Sequence, residues 1–398
     1  MQTAKKEEKL SELGIILSYD QSEIEARINA PILRALDREQ PVILFGAGQT
    51  GAKLVPILKE MGIEILCFAD DTPEKADTVF HGVHVKPSDV ADQMFKDASP
   101  LWIVCIYHPA HRFTAIAERL ENKFGVKTVS FVNLLYAAHQ QDVKETLPHY
   151  FFLPPERTLN ARERYLSLET ALEDEQSRKT LLDAVKLRLM CDFSGPLSVK
   201  MEDDNVLKEC VQDESTIIVD CGAYDGDTIE KFVNISGGGV KKIVAFEPDK
   251  ANHKKLQESI AQYDGALASK IECICAAISE ETGTAKFQSE GNMSSNLSDE
   301  GGEEVQIYAL DNFFEDKGEN YFIKLDVEGF ELEALRGAKA MITSGNTALG
   351  ISAYHKPGDL LECYELLEEW GCNFKYHLRA YGEDGADLML FAISEKLI

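Results

Sequence analysis

The sequence predicts an α/β protein of two doubly wound domains joined by a helical connector, and three observations carry that prediction. Short apolar runs alternate with helix-spaced segments twice along the chain, once from Pro41 and again from Thr216. The first apolar run of each half ends in a glycine-rich loop. The length, 398 residues, suits two or three domains that each bury a core without disulfides.

From the N-terminus, Leu10, Leu13, Ile16, Leu17, Ile24, Ile28, Ile32, Leu33 and Leu36 fall three or four apart, which predicts one or two amphipathic helices over about 8–38. PVILFGAG then reads as a buried strand running into a turn, TGAKLVPILKEMG as a helix, and IEILCFADD and LWIVCIYH as further strands, with a loop up to HGVHV between them. This first domain is placed at 1–139. Residues 140–212 hold no comparable strands; LPHYFFLPPER marks a boundary, and the following segment reads as helices of a connector.

The second domain is placed at 213–398 with seven core strands: TIIVDCGA, KKIVAFEPD, IECICAAIS, YFIKLDVEG, ALGISAYH, CNFKYHLRAY and DLMLFAI. Helices are expected to about Phe232, through about Tyr263, from about Phe330 to Met341, and to about Trp370. GEDGA, between the last two strands, is too short for a parallel crossover, so these strands should form an antiparallel hairpin at the sheet edge. An extra β-hairpin around a polar loop is expected within GTAKFQSEGNMSSNLSDEGGEEVQIYALDNFF.

Composition narrows the function. Hydrophobic residues make up 44% and charged residues 27%, and no apolar run is long enough to span a bilayer. Forty-one basic against 68 acidic residues give a net charge of −27, which disfavours nucleic-acid and membrane-surface partners. The start, MQTAKKEEKLSELGIILSYD, does not read as a secretory signal, so a cytoplasmic location is expected. Nine cysteines agree with that: the count is odd, Cys67, Cys105, Cys221, Cys273 and Cys275 sit in or beside apolar runs, and no spacing resembles a metal knuckle.

The two glycine loops differ in chemistry. Gly46, Gly48 and Gly51 lie between a strand and a helix, with Asp70 at the end of the next strand, which is the context of a dinucleotide or nucleotide site. The second loop, Asp220 to Thr228, places Asp220, Asp225 and Asp227 together, where a pyrophosphate would meet like charge. S-adenosylmethionine, with a sulfonium, an ammonium and free ribose hydroxyls, suits it better. Glu247 then stands where an acid accepts ribose hydroxyls, and Ala276 and Ala277 leave room for adenine.

Ligands of open α/β sheets bind at the carboxyl ends of the strands, so the acceptor should lie near Lys324, Asp326, Glu328 and His355. Methyl transfer to a hydroxyl needs in-line attack and removal of a proton, and His355 is the expected base, with Asp326 orienting it or the acceptor. A divalent ion on Asp326 and His355 would acidify the hydroxyl, but two ligands do not define a metal site, and no metal ligand is assigned.

DCGAYDGDT, VAFEPDK, YALDNFF, FIKLDVEGFELEALRGA, the AYH strand end and HLR at 377–379 together resemble the FkbM family of methyltransferases, over about 213–396. The EDEQSRKTLL run at 173–182 resembles the segment upstream of the catalytic domain in some bacterial members. The resemblance implies a seven-stranded class I methyltransferase sheet and S-adenosylmethionine-dependent O-methylation of sugars, glycans or related metabolites. It puts Asp220, Gly222, Ala223, Tyr224, Gly226, Asp227, Thr228, Glu247, Pro248, Ala276 and Ala277 at the donor. Ser294, Ser295, Lys324, Glu328 and Arg379 go to the acceptor, with His355 and Asp326 as catalytic residues. Cys221 departs from the small aliphatic residue usual there.

The first domain is similar to the Rossmann-like domain in front of sugar-nucleotide acetyltransferases, which implies a nucleotide or nucleotide-sugar at Gly46, Gly48, Gly51 and Asp70. The expected reading is an enzyme acting on a small-molecule or glycan acceptor, with homo-oligomerisation left open. Two alternatives remain at this point: an NAD(P)-dependent oxidoreductase using GAGQTG, and a non-catalytic nucleotide-sugar-binding protein with a degenerate methyltransferase fold.

Overall fold

A computed structural model describes the chain apart from residues 1–9, 21, 25–31, 33–38, 109, 142, 144–154, 196–198, 212–213, 289–295, 298–302, 316–317 and 398. The chain divides into two compact units, one of 1–166, 179–197 and 382–386 and the other of 167–178, 198–381 and 387–398. The helices Arg162–Ala171 and Glu175–Met190, within the segment read as a connector, are thus shared between the units. No helix among the described residues is long and apolar enough to cross a membrane.

In the first unit six strands, β1 (Val42–Phe45), β2 (Ile65–Ala69), β3 (Val79–Phe80), β4 (Val83–Lys86), β5 (Leu101–Val104) and β6 (Lys127–Ser130), form one sheet in the order β3-β4-β2-β1-β5-β6. All pairs are parallel except β3 with β4. The buried runs of β1 and β5 have no polar face because helices such as Gln49–Glu60 and Phe113–Phe124 cover the sheet, with Trp102 and Phe45 in its core. Of the expected N-terminal helices, Glu12–Ile16 is described, capped by the Ser11 hydroxyl, which accepts from the Gly14 N–H.

The second unit holds the seven expected strands: β7 (Ile217–Cys221), β8 (Lys242–Phe246), β9 (Ile271–Ile274), then, after the inserted β10 (Ala277–Ile278), β11 (Gly283–Gln288), β12 (Asn296–Leu297) and β13 (Glu303–Tyr308), β14 (Tyr321–Leu325), β15 (Thr347–Ser352), β16 (Phe374–Ala380) and β17 (Leu388–Ser394). Their order is β16-β17-β15-β14-β7-β8-β9, with β17 antiparallel to both neighbours. The reversal at β7 between β8 and β14 is a switch point, where the strand ends open a crevice. The expected extra hairpin is present as β11 antiparallel to β13, within a four-stranded sheet completed by β10 and β12.

One expected helix differs. The segment 330–341 forms two short helices, Glu331–Gly337 and Lys339–Thr343. The Asp311 carboxylate accepts the N–H groups of Ala340 and Met341 at 2.7 and 2.8 Å and so starts a new helix there. Gly337 packs so closely on the preceding insertion that a Cβ would lie 2.1 Å from the Ser279 carbonyl oxygen.

Candidate active site

The loop after β7 is built by backbone contacts. The N–H groups of Gly222 and Ala223 donate to the Phe246 carbonyl at 2.9 and 3.0 Å, which ties the loop to the end of β8. Gly222 and Gly226 have φ of +86° and +93°, and Tyr224, with φ +47°, shares that left-handed region without being glycine. Tyr224 is fixed there because its N–H donates to Glu247 Oε2 at 2.9 Å, while Glu247 Oε1 accepts from the Asp249 N–H at 2.9 Å. Burial pushes the Glu247 carboxyl up to about 7 in spite of those two donors.

Beside this loop, β14 carries Lys324, which is buried and reaches two carboxylates, Asp220 Oδ1 at 3.2 Å and Asp326 Oδ2 at 3.0 Å. Burial pushes the Asp220 carboxyl up to about 6, although the lysine opposes it, and Asp220 Oδ2 has no hydrogen-bond partner. Burial also acts on Asp326, but the charges of Lys324 and His355 outweigh it and hold that carboxyl below its usual range. The lysine ammonium is held well above its ordinary value by its two acids, against burial.

Past β14 the chain turns through Val327, Glu328 and Gly329, with Glu328 at φ +53°. Glu331 closes the turn, its Oε1 accepting the N–H groups of Val327 at 3.0 Å and Gly329 at 3.3 Å. The same oxygen is 2.8 Å from His355 Nδ1, and His355 Nε2 lies 3.4 Å from Asp326 Oδ1 and 3.8 Å from Glu328 Oε2. Burial alone would lower the His355 pKa; Glu331, Asp326 and Glu328 overcome it and raise it to about 9. Glu331, His355 and Asp359 form a buried group with ligand atoms within 4.8 Å of one another. The imidazole bridges to Glu331 Oε1 and Asp359 Oδ2 accepts the Lys356 N–H, while Glu331 Oε2 and His355 Nε2 are buried without a hydrogen-bond partner.

A cavity of about 370 Å³ opens at this rim. Of the donor residues expected from sequence, Gly222, Tyr224, Asp227, Thr228, Glu247, Pro248, Ala276 and Ala277 line it, while Asp220, Ala223 and Gly226 stand behind it as supports. Lys324, Asp326 and Glu328 line it as well. His355 does not; it is buried behind Asp326 and Glu328.

Arg379 is a correction: expected at the acceptor, it lines no part of the cavity. Its guanidinium is buried against Asp174, Ser177 and Asp204, which hold β16 to helix Glu175–Met190 and the segment before helix Asn205–Val211. Ser294 and Ser295 lie outside the described residues. Sequence reasoning missed Ser352, Tyr354, Asp387 and Met389 on the wall and Glu331 behind it. Glu331 sits in the FELEALRG helix quoted above, but only the fold turns it inward.

In the first unit Gly46 has φ +106°, and a Cβ on Gly51 would lie 2.6 Å from the Gly46 carbonyl oxygen, so both glycines serve the tight turn; a Cβ on Gly48 would meet open space. Asp70 is occupied within the protein, accepting from the N–H groups of Ala47 (2.8 Å) and Thr72 (3.0 Å) and pairing with Lys75 (2.9 Å). Burial is overcome by these donors, and its carboxyl falls to about 2.

The strand order, the reversed last strand and an acidic cavity at the switch point define a methyltransferase-type domain. Residues 220–374, within the second unit, match the family described as methyltransferase FkbM domain. In fold the chain is similar to methyltransferase FkbM from Methylobacillus flagellatus KT, with TM-score 0.76, 20% identity, and 96% of this chain and 97% of that one covered. A putative rRNA methylase from Clostridium thermocellum (13% identity, 50% and 99% covered, TM-score 0.32) and a UDP-D-quinovosamine 4-dehydrogenase from Vibrio fischeri (22%, 23% and 76%, 0.20) score too low to argue from. No curated protein matches the sequence.

Proposed function

We propose that the chain is an S-adenosylmethionine-dependent O-methyltransferase acting on a hydroxyl of a sugar, glycan or related metabolite. The observation that carries this reading is that one cavity brings together the 222–228 loop, Glu247 and the Asp326–Glu328 turn. The residues suit the donor. Asp225 and Asp227 favour an ammonium and a sulfonium over phosphate, Glu247 presents a carboxylate for ribose hydroxyls, and Ala276 and Ala277 are small. The donor supplies an electrophilic methyl group; the chain positions it, aligns the acceptor oxygen and takes up the hydroxyl proton.

Among the described lining residues the two lysines are paired, Lys324 with Asp220 and Asp326 and Lys231 with Asp227, so neither is offered freely to an anionic acceptor. That supports an uncharged polyol such as a carbohydrate. The nicotinamide alternative receives less support because Asp70 is committed to Lys75 and two N–H groups. The −27 charge argues against nucleic acid or anionic membranes as partners, and buried reduced cysteines such as Cys67 and Cys105 suit the cytoplasm.

The test is incubation of the full chain with isotopically labelled donor and a panel of methyl glycosides and oligosaccharides, read by mass spectrometry. The reading expects S-adenosylhomocysteine and one added methyl on an acceptor oxygen. Transfer only to nitrogen or carbon acceptors, or none to any, would overturn it.

A further inference from the structure

Glu331 Oε1 serves three partners at once, the N–H groups of Val327 and Gly329 and the imidazole Nδ1 of His355. The two N–H groups flank Glu328, so the same carboxylate that holds the histidine also fixes the left-handed turn presenting Glu328 to the cavity. His355 Nε2 faces Asp326 and Glu328 and has no hydrogen-bond partner. Among the described residues, the charged groups that stand between the histidine and the cavity are those two carboxylates, with the Tyr354 ring packed beside it.

We propose that Glu328 accepts the acceptor's hydroxyl proton, and that Glu331 and His355 are a buried positioning pair that holds its turn and balances the charge of Glu328 and Asp326. This rests on the methyltransferase reading above. The acceptor oxygen forms a bond to the methyl carbon, the carbon–sulfur bond breaks with its electron pair going to sulfur, and the hydroxyl proton passes to a Glu328 oxygen. Sulfonium and carboxylate are thus neutralised together.

The environments of the two carboxylates separate their roles. Asp326 is held ionised by Lys324 and His355 and is a weak base, whereas burial pushes Glu328 up to about 7 against the pull of His355 and Lys324, with Asp326 and Glu331 adding to the rise. His355, facing Glu331, Asp326 and Glu328, with Asp359 and Lys356 also near it, retains its proton at neutral pH. A protonated imidazole cannot act as the base.

The test combines histidine-ring NMR titration of the full chain, with S-adenosylhomocysteine bound, and pH–rate profiles on the best glycoside of the panel. His355 is expected to titrate near 9 and to fall by more than one unit in Glu331→Gln. Glu328→Gln is expected to lose at least about 100-fold in kcat and the acid limb near pH 7. His355→Gln should keep that limb and move it to higher pH, because a cation beside Glu328 is lost.

A wild-type His355 midpoint near 6.5, or a limb that disappears in His355→Gln and survives in Glu328→Gln, would overturn the proposal. The wild-type titration stands even if a variant fails to fold. Absence of S-adenosylhomocysteine binding would instead sink the methyltransferase reading.

Discussion

Gly222 and Asp326 meet through their backbones, and a Cβ at position 222 would stand 1.9 Å from the Asp326 carbonyl oxygen. The loop after β7 and the turn after β14 are thereby locked together, aided by the Asp326 N–H, which donates to the Cys221 carbonyl at 2.9 Å. In the proposed function, donor and acceptor would meet across this joint.

Gly222→Ala would break that joint. The φ of +86° alone costs about 1–2 kcal/mol for an alanine, and relieving the overlap requires one of the two loops to move. Calorimetric titration should show S-adenosylhomocysteine affinity reduced at least about tenfold, and thermal melting a lowered Tm. A variant with unchanged affinity and Tm would show that the joint has slack.

Lys324 is expected to matter for stability before chemistry. Lys324→Met leaves Asp220 and Asp326 facing each other without their shared cation, and loss of one partner of a buried pair costs about 3–5 kcal/mol. Urea unfolding should report that loss. Because the orphaned acids would bind protons in the folded state, the variant should recover part of the difference as pH falls from 7 to 5.

Arg379→Met should behave differently from a substrate contact. Buried Asp204 and partly buried Asp174 lose their cation, so stability falls by about 3 kcal/mol or more. Acceptor KM, measured below the variant's lowered Tm, should stay within about twofold of wild type. A large rise in KM with unchanged stability would return Arg379 to the acceptor site.

Stability should decline as pH rises from about 5 to 9. The folded-state pKa of His355 is raised, so its contribution is complete below 6.5 and lost by 9; Glu247 and Glu328, raised to about 7, favour the protonated folded state and lose stability as they ionise between about 4.5 and 7. The His355 part is at most about 3 kcal/mol. Urea midpoints at pH 6, 7.5 and 9 should fall in that order, with a flatter course above pH 6.5 in His355→Gln. Midpoints that rise with pH would contradict this.

The central strands of the second unit, β7, β8, β14 and β15, were legible because each is a short, largely apolar run followed closely by a glycine, an acid or a histidine, and a run buried on both faces needs no periodicity to be recognised. The donor loop was legible for the same reason: its glycines and acids are adjacent in sequence. Contacts between distant segments were not. The Asp311 cap that splits 330–341 comes from before β14, and Arg379 meets acids near residues 174 and 204. His355 stands beside Asp326, as expected, but behind the cavity wall rather than on it, where it is held by Glu331, whose inward turn no local pattern marks.

The most direct measurement is calorimetric titration of S-adenosylhomocysteine into the full chain and its Glu247→Gln variant at pH 8 and 6. One site per chain is expected, with affinity reduced about 10–100-fold in the variant, since a hydrogen bond to a charged acceptor is worth about 1.5–3 kcal/mol. Wild-type affinity should also weaken at pH 6, because burial pushes the Glu247 carboxyl up to about 7, and the variant should lose most of that dependence. No binding, or binding that Glu247→Gln leaves unchanged at both pH values, would contradict the assignment of this cavity to the methyl donor.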